Sequence, residues 1–126
     1  MKKIMDKLHF EVHLVEHCNL NCKGCAHFAP LAKEEYLDIV KYRHDILRLA
    51  ELTNNDMAYI KLLGGEPLLH PKIEEIFDLT RSVFKNTPII LITNGINLPD
   101  MREKFWDSCR KNRIIVEITK YPIDID

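Results

Sequence analysis

The chain has 126 residues, 46% hydrophobic and 29% charged, a globular mix that excludes a disordered or low-complexity chain. Its 18 Lys and Arg stand against 19 Asp and Glu, so a net charge of −1 gives no electrostatic reason to expect nucleic acid. That length suits a single domain, 1–126, with a real core, and no window reaches the ~20 apolar residues of a membrane span.

The N-terminal residues Met1 to Lys7 carry positive charge without an apolar run or a small-residue cleavage site, so they do not read as a signal peptide. Three clustered cysteines and a distant Cys109 do not form a secreted disulfide pattern. Clustered thiols without a secretion signal point to the reducing cytoplasm and to a metal. The first predicted strand is Leu8 to Val15, with Phe10, Val12 and Leu14 on one face and Glu11, His13 and Val15 on the other. Directly after it come Cys18, Cys22 and Cys25, spaced Cys-x-x-x-Cys-x-x-Cys. Structural zinc and electron-carrying iron–sulfur sites normally take four protein ligands, so three thiols leave one metal position open. Completion by His17 or His27 as a zinc site is an equally sound chemical alternative on these residues alone.

A helix is expected to begin near Leu31 to Lys33, because Leu37, Val40, Leu47 and Ala50 recur at helical spacing, and to end before the polar turn Thr53 to Asp56. Met57 to Leu63 is the second strand, leading into Gly64-Gly65-Glu66-Pro67. Pro71 suits the first turn of a second helix, whose apolar stripe is Ile73, Ile76, Phe77, Thr80 and Phe84. Pro88 to Ile92 is a continuous apolar run, the mark of a strand buried on both faces, and it ends in Thr93-Asn94-Gly95. A third helix is expected from about Pro99 to Lys111, with Phe105 and Cys109 one turn apart. Ile114 to Thr119 is the fourth strand and runs into Lys120-Tyr121-Pro122.

This alternation predicts an α/β fold with a parallel sheet of about four strands and right-handed crossover helices. In such folds ligands bind at the carboxyl ends of the strands. The cysteines, Gly64 to Pro67, Thr93 to Gly95 and the end of the fourth strand all fall on that rim.

Cys18, Cys22 and Cys25 at this spacing, followed by Gly64-Gly65-Glu66-Pro67 after the second strand, resemble the radical S-adenosylmethionine (radical SAM) superfamily over nearly the whole chain. The resemblance implies a partial (βα)6 barrel in which the three cysteines hold a [4Fe–4S] cluster. It implies that the cluster's open iron binds S-adenosylmethionine, which is reductively cleaved to methionine and a 5′-deoxyadenosyl radical that attacks a substrate still to be identified. Gly64 and Gly65 would let the ligand approach the backbone, Glu66 would accept from its ammonium, and Pro67 would set the loop's exit. Thr93 and Asn94 would hydrogen-bond the ligand, and Glu117 and Thr119, alternate residues of one strand, would reach ribose hydroxyls. An electron donor such as flavodoxin or ferredoxin is implied as a partner.

Two features depart from the family. Gly24 stands where many members carry an aromatic residue beside the last cysteine, which leaves the adenine contact to another residue such as Phe28. Family cores also have six strand–helix units, whereas here the pattern ends with the fourth strand. The expectation is a fragment, a truncated form or a half that pairs with itself or a partner along the open edge Ile114 to Ile118. The rival to the enzyme reading is a non-catalytic or zinc-binding module that keeps the scaffold. An electron carrier would need a fourth ligand, for which Cys109 is poorly placed.

Overall fold

Apolar–polar alternation lays Leu8–Val15 down as β1, and the apolar runs Met57–Gly64, Ile89–Thr93 and Ile114–Ile118 form β2, β3 and β4. Between them lie three helices, α1 (Ile39–Thr53), α2 (Ile73–Val83) and α3 (Glu103–Lys111). The structure is a computed structural model and describes residues 8–15 and 36–119. All strand pairs are parallel, in the order β1-β2-β3-β4, so each strand lies beside its predecessor. The fold class expected from the sequence is the one observed.

Register places the inward residues in rows. Phe10 sits opposite Ile60, and Ile60 opposite Ile89; Val12 sits opposite Leu62, and Leu62 opposite Leu91. These side chains share one core with Ile46, Ile73, Ile76, Phe77 and Phe105 of the helices. Each fully buried Ile, Leu or Phe contributes roughly 1.5–3 kcal/mol, so this single layer carries most of the stabilisation. Residues of the opposite face, such as His9, Tyr59, Lys61, Ile90 and Glu117, are half-buried or exposed. No described helix packs on that face. His9 stacks on Tyr59 there, with ring centroids 4.9 Å apart.

Helix ends follow local chemistry. Asp38 caps α1, its carboxylate accepting from the Val40 and Lys41 amides at 2.9 and 3.4 Å, and Asn54 ends it in the left-handed region at φ 55°. Glu74 and Glu75 open α2 and Arg81 closes it; Glu103 opens α3 and Arg110 and Lys111 close it, as the helix dipole favours.

Two sequence expectations are corrected. The first helix, α1, begins at Ile39: Tyr36 bridges to Val15 in antiparallel fashion and Asp38 is an extended cap, while the start expected at Leu31 to Lys33 lies outside the described residues. Its buried stripe is Tyr42, Ile46 and Ala50, while Val40 and Leu47 are exposed at 79% and 49%. Of the expected set, Ala50 is in that stripe and Leu37, ahead of the helix, packs partly against the core, so only Val40 and Leu47 lie off it. The third helix begins at Glu103 rather than Pro99, which instead lies in a 3-10 turn at Leu98–Asp100.

At the amino rim of the sheet, Arg81 donates to the carbonyls of Phe84, Lys85, Thr87, Asn112 and Arg113. Asn112 adds bonds to Asp78 Oδ1 at 2.7 Å and to Ser108. These bonds tie the turns that feed β3 and β4. No described helix is long and apolar enough to cross a membrane.

Candidate functional site

Parallel strands bring all four carboxyl ends to one rim, and the rim's polar residues are bound mainly to one another. β1 ends at Val15, which is fully buried. The chain is next described at Tyr36, bridged to Val15, and the Leu37 amide donates to Leu14 O at 2.9 Å. Residues 16–35, with Cys18, Cys22 and Cys25 as well as His17, Gly24, His27 and Phe28, lie outside the described residues. Both ends of that segment are therefore anchored at the end of β1.

The Gly64 to Pro67 turn packs against the same point. Gly64 has φ 137°, and a Cβ there would lie 2.5 Å from Val15 O. The Gly65 amide donates to Val15 O at 2.7 Å. The missing side chain at Gly64 thus admits the backbone of β1, where the sequence reading had it admit a ligand.

Glu66 is fully buried. Its Oε2 accepts from the Leu68 amide at 2.9 Å and from the Thr93 hydroxyl at 2.6 Å, and its Oε1 accepts from the Asn94 amide at 2.8 Å. The carboxylate expected to face a ligand ammonium therefore has three internal donors and joins the loop after β2 to the loop after β3. Pro67 starts the 3-10 turn Pro67–Leu69 that Glu66 caps.

Thr93 is buried, and its hydroxyl both donates to Glu66 and accepts from the Gly95 amide at 3.1 Å. Its side chain belongs to the scaffold. Asn94 is half-buried at the rim, with Oδ1 accepting from the Ile96 amide at 2.9 Å. The Thr119 amide and hydroxyl both donate to Thr93 O, at 2.9 and 3.3 Å. Glu117 is exposed on the face that no described helix covers, level with Ile92 of β3. Glu117 and Thr119 are thus on one strand end, but only Glu117 turns an unburied side chain outward.

His70 lies between the Pro67–Leu69 turn and α2. It is buried, and both ring nitrogens are used, Nε2 with Leu37 O at 2.9 Å and Nδ1 with the Lys72 amide at 3.0 Å. Nothing in the spacing around His70 signals a partner 33 positions away in sequence.

Among the described residues, no three His, Cys, Asp or Glu side chains converge as a metal site. Cys109 is buried in α3, near the end that leads into β4, and burial pushes its thiol up to about 11, with Glu74 adding to the shift and Arg110 opposing it. A thiol so held is a poor thiolate ligand.

Comparison with known proteins bears on the family and the fold. Residues 9–124 match the family model described as a 4Fe-4S single cluster domain. The GTP 3′,8-cyclase of Microcystis aeruginosa is 31% identical over 103 residues, covering 79% of this chain and 31% of that protein. Molybdenum cofactor biosynthesis protein 1 of Bos taurus is 33% identical over 91 residues, 71% of this chain and 14% of that protein. The chain therefore spans about a third or less of the curated relatives it matches. The crystal structure of BtrN in complex with AdoMet and 2-DOIA superposes with a TM-score of 0.74 at 21% identity, over 98% of this chain and 49% of that one. The relationship to radical SAM proteins expected from the motifs is the one found.

Proposed function

Because the chain belongs to the 4Fe–4S single cluster domain family, we propose that Cys18, Cys22 and Cys25 hold a [4Fe–4S] cluster and that the adjoining rim binds S-adenosylmethionine. The observation that carries this reading is the anchoring of both ends of the cysteine segment beside Gly64 and Gly65. Cys18 is three residues beyond Val15, so chain geometry keeps the two α-carbons within about 11 Å. The donor set fits the group, since soft thiolates suit iron–sulfur clusters and three of them leave one iron open. When bound, such a cluster supplies an electron that breaks a carbon–sulfur bond of the sulfonium, giving methionine and a 5′-deoxyadenosyl radical.

The chain's own residues then act as follows. Gly64 and Gly65 hold the turn against β1 and set the backbone edge that meets the ligand. Glu66 orients the Asn94 amide and the Pro67 turn from behind, as a positioning residue. Thr93 relays that hold to Gly95 and Thr119, while Asn94 and Glu117 are the rim side chains offered to the ligand's polar groups. Residues 1–126 act as one domain, in the cytoplasm, with an electron donor such as flavodoxin or ferredoxin. β4 is an outer strand with Ile115 and Ile118 exposed, and a further strand or a partner chain pairs there.

Anaerobic reconstitution with iron and sulfide, followed by electron paramagnetic resonance of the reduced protein with and without S-adenosylmethionine, tests the reading. A [4Fe–4S] signal that shifts on adding the ligand is expected. Zinc bound in place of iron would overturn it. Cys22→Ala is expected to abolish iron uptake while leaving the far-ultraviolet circular dichroism unchanged; a full iron complement in that variant would remove Cys22 from the site.

A further inference from the structure

We infer that His70 fixes where the cysteine-bearing segment returns to the sheet and so controls how firmly that segment keeps its iron. The inference rests on the cluster reading above. The Lys72 amide can only donate and the Leu37 carbonyl can only accept, so Nδ1 carries the lone pair and Nε2 the proton. The ring is a neutral bridge with two different ends. Its near end is local, because Lys72 immediately precedes α2. Its far end is Leu37, the second described residue after the cysteine segment.

Leu37 is consequently gripped from both sides, its amide by Leu14 O of β1 and its carbonyl by His70. Tyr36 adds an edge contact to the same ring, with centroids 5.6 Å apart and planes at 75°. The His70 amide also donates to Pro67 O at 3.0 Å. One residue thus links the returning leg of the cysteine segment to the Gly64 to Pro67 turn. Leu37 is twelve residues beyond Cys25, so the effect is carried through the return point of the segment, and losing one such hydrogen bond typically shifts an equilibrium about two- to tenfold.

The two ends of the ring can be separated by substitution. Asn at this position supplies an acceptor near the Nδ1 site, which keeps the Lys72 bond and loses Leu37. Gln supplies a donor near the Nε2 site, which keeps Leu37 and loses Lys72. The experiment follows iron release from the reconstituted full chain to an iron(II) chelator under anaerobic conditions, together with hydrogen exchange at the Leu37 amide. His70→Asn is expected to release iron roughly fivefold faster than the parent chain and to exchange faster at Leu37. His70→Gln is expected to stay within about twofold of the parent on both, because the bond to Leu37 is kept. Release from His70→Asn at the parent rate overturns the inference. So does equal acceleration in both variants, or acceleration in His70→Gln alone, since either would make the local bond to Lys72 the one that matters. A parent chain that takes up no iron overturns the cluster reading and this inference with it.

Discussion

The two rims of the sheet are each tied by one charged side chain, and the charges are opposite. At the carboxyl rim Glu66 accepts from two backbone amides and one hydroxyl; at the amino rim Arg81 donates to five backbone carbonyls. The choice follows from helix chemistry. Loops leaving parallel strands enter helix N-termini, where amides lack partners, and loops entering strands leave helix C-termini, where carbonyls lack them. A carboxylate suits the first place and a guanidinium the second. The rims differ in water: Glu66 is wholly buried, whereas Arg81 is half-buried, and burial followed by the neighbouring Arg113 pulls its pKa below the ordinary value while it stays charged. The candidate site therefore stands on a dry, fully bonded support, and the opposite rim is stapled in partial contact with solvent.

Removing each tie should expose that difference. Glu66→Ala strands two buried donors and one half-buried one and is expected to cost about 3–5 kcal/mol in urea unfolding. Arg81→Ala frees five carbonyls, two in exposed bonds and three in part-buried ones, and about 1–3 kcal/mol is expected. An Arg81 variant as damaging as the Glu66 variant would break the comparison. At equal folded fraction, the Arg81 variant should also bind iron like the parent.

Backbone fit at the carboxyl rim gives the next effect. Gly64→Ala must displace Val15 O and adopt a positive φ, so a loss of about 3 kcal/mol is expected in the same assay. Gly95→Ala meets only the Ile118 side chain at 3.0 Å, at φ 83°, and about 1–2 kcal/mol is expected. A harmless Gly64→Ala would mean that the end of β1 is not held as closely as described.

The smallest effect belongs to the buried groups away from the site. Cys109 titrates near 11 in the folded chain, against 9.0 for an ordinary thiol, and burial holds the Tyr42 hydroxyl above its usual range as well. The unfolded chain releases the Cys109 proton first, so stability should be intact below pH 9 and fall as pH rises from about 9 to 11. Cys109→Ser should flatten that part of the pH profile; an unchanged slope would assign it to other groups. Native alkylation near pH 8 should spare Cys109 until the chain is unfolded, as peptide mapping can show.

Much of this was legible in the sequence because it depends on local patterns. The apolar runs at Met57 to Leu63 and Ile89 to Ile92 are strands wherever they occur in such an alternation, and the Gly64-Gly65-Glu66-Pro67 turn follows from its place after one of them. What depends on a distant partner was not legible. The bonds that Thr93 and Asn94 make to Glu66 leave no mark in the spacing of the sequence. His70 carries no mark of its bond to Leu37, and α1 starts late because Val15 holds Tyr36 out of the helix. Val40 fits the spacing of Leu47 and Ala50, and only the packed helix shows that Tyr42 and Ile46 share the core face with Ala50.

The bridge between Val15 and Tyr36 means that the chain leaves the sheet and rejoins it at a single doorway. The described chain on either side of residues 16–35 is thereby pinned to one point of the scaffold, and β1 keeps its register with β2 through contacts made outside that stretch. For a flexible chain whose ends already meet, each doubling of length adds only about 0.6 kcal/mol of closure entropy. A change of length between Val15 and Tyr36 is then expected to leave the pairing of β1 with β2 in register, which hydrogen exchange at the β1 amides can check.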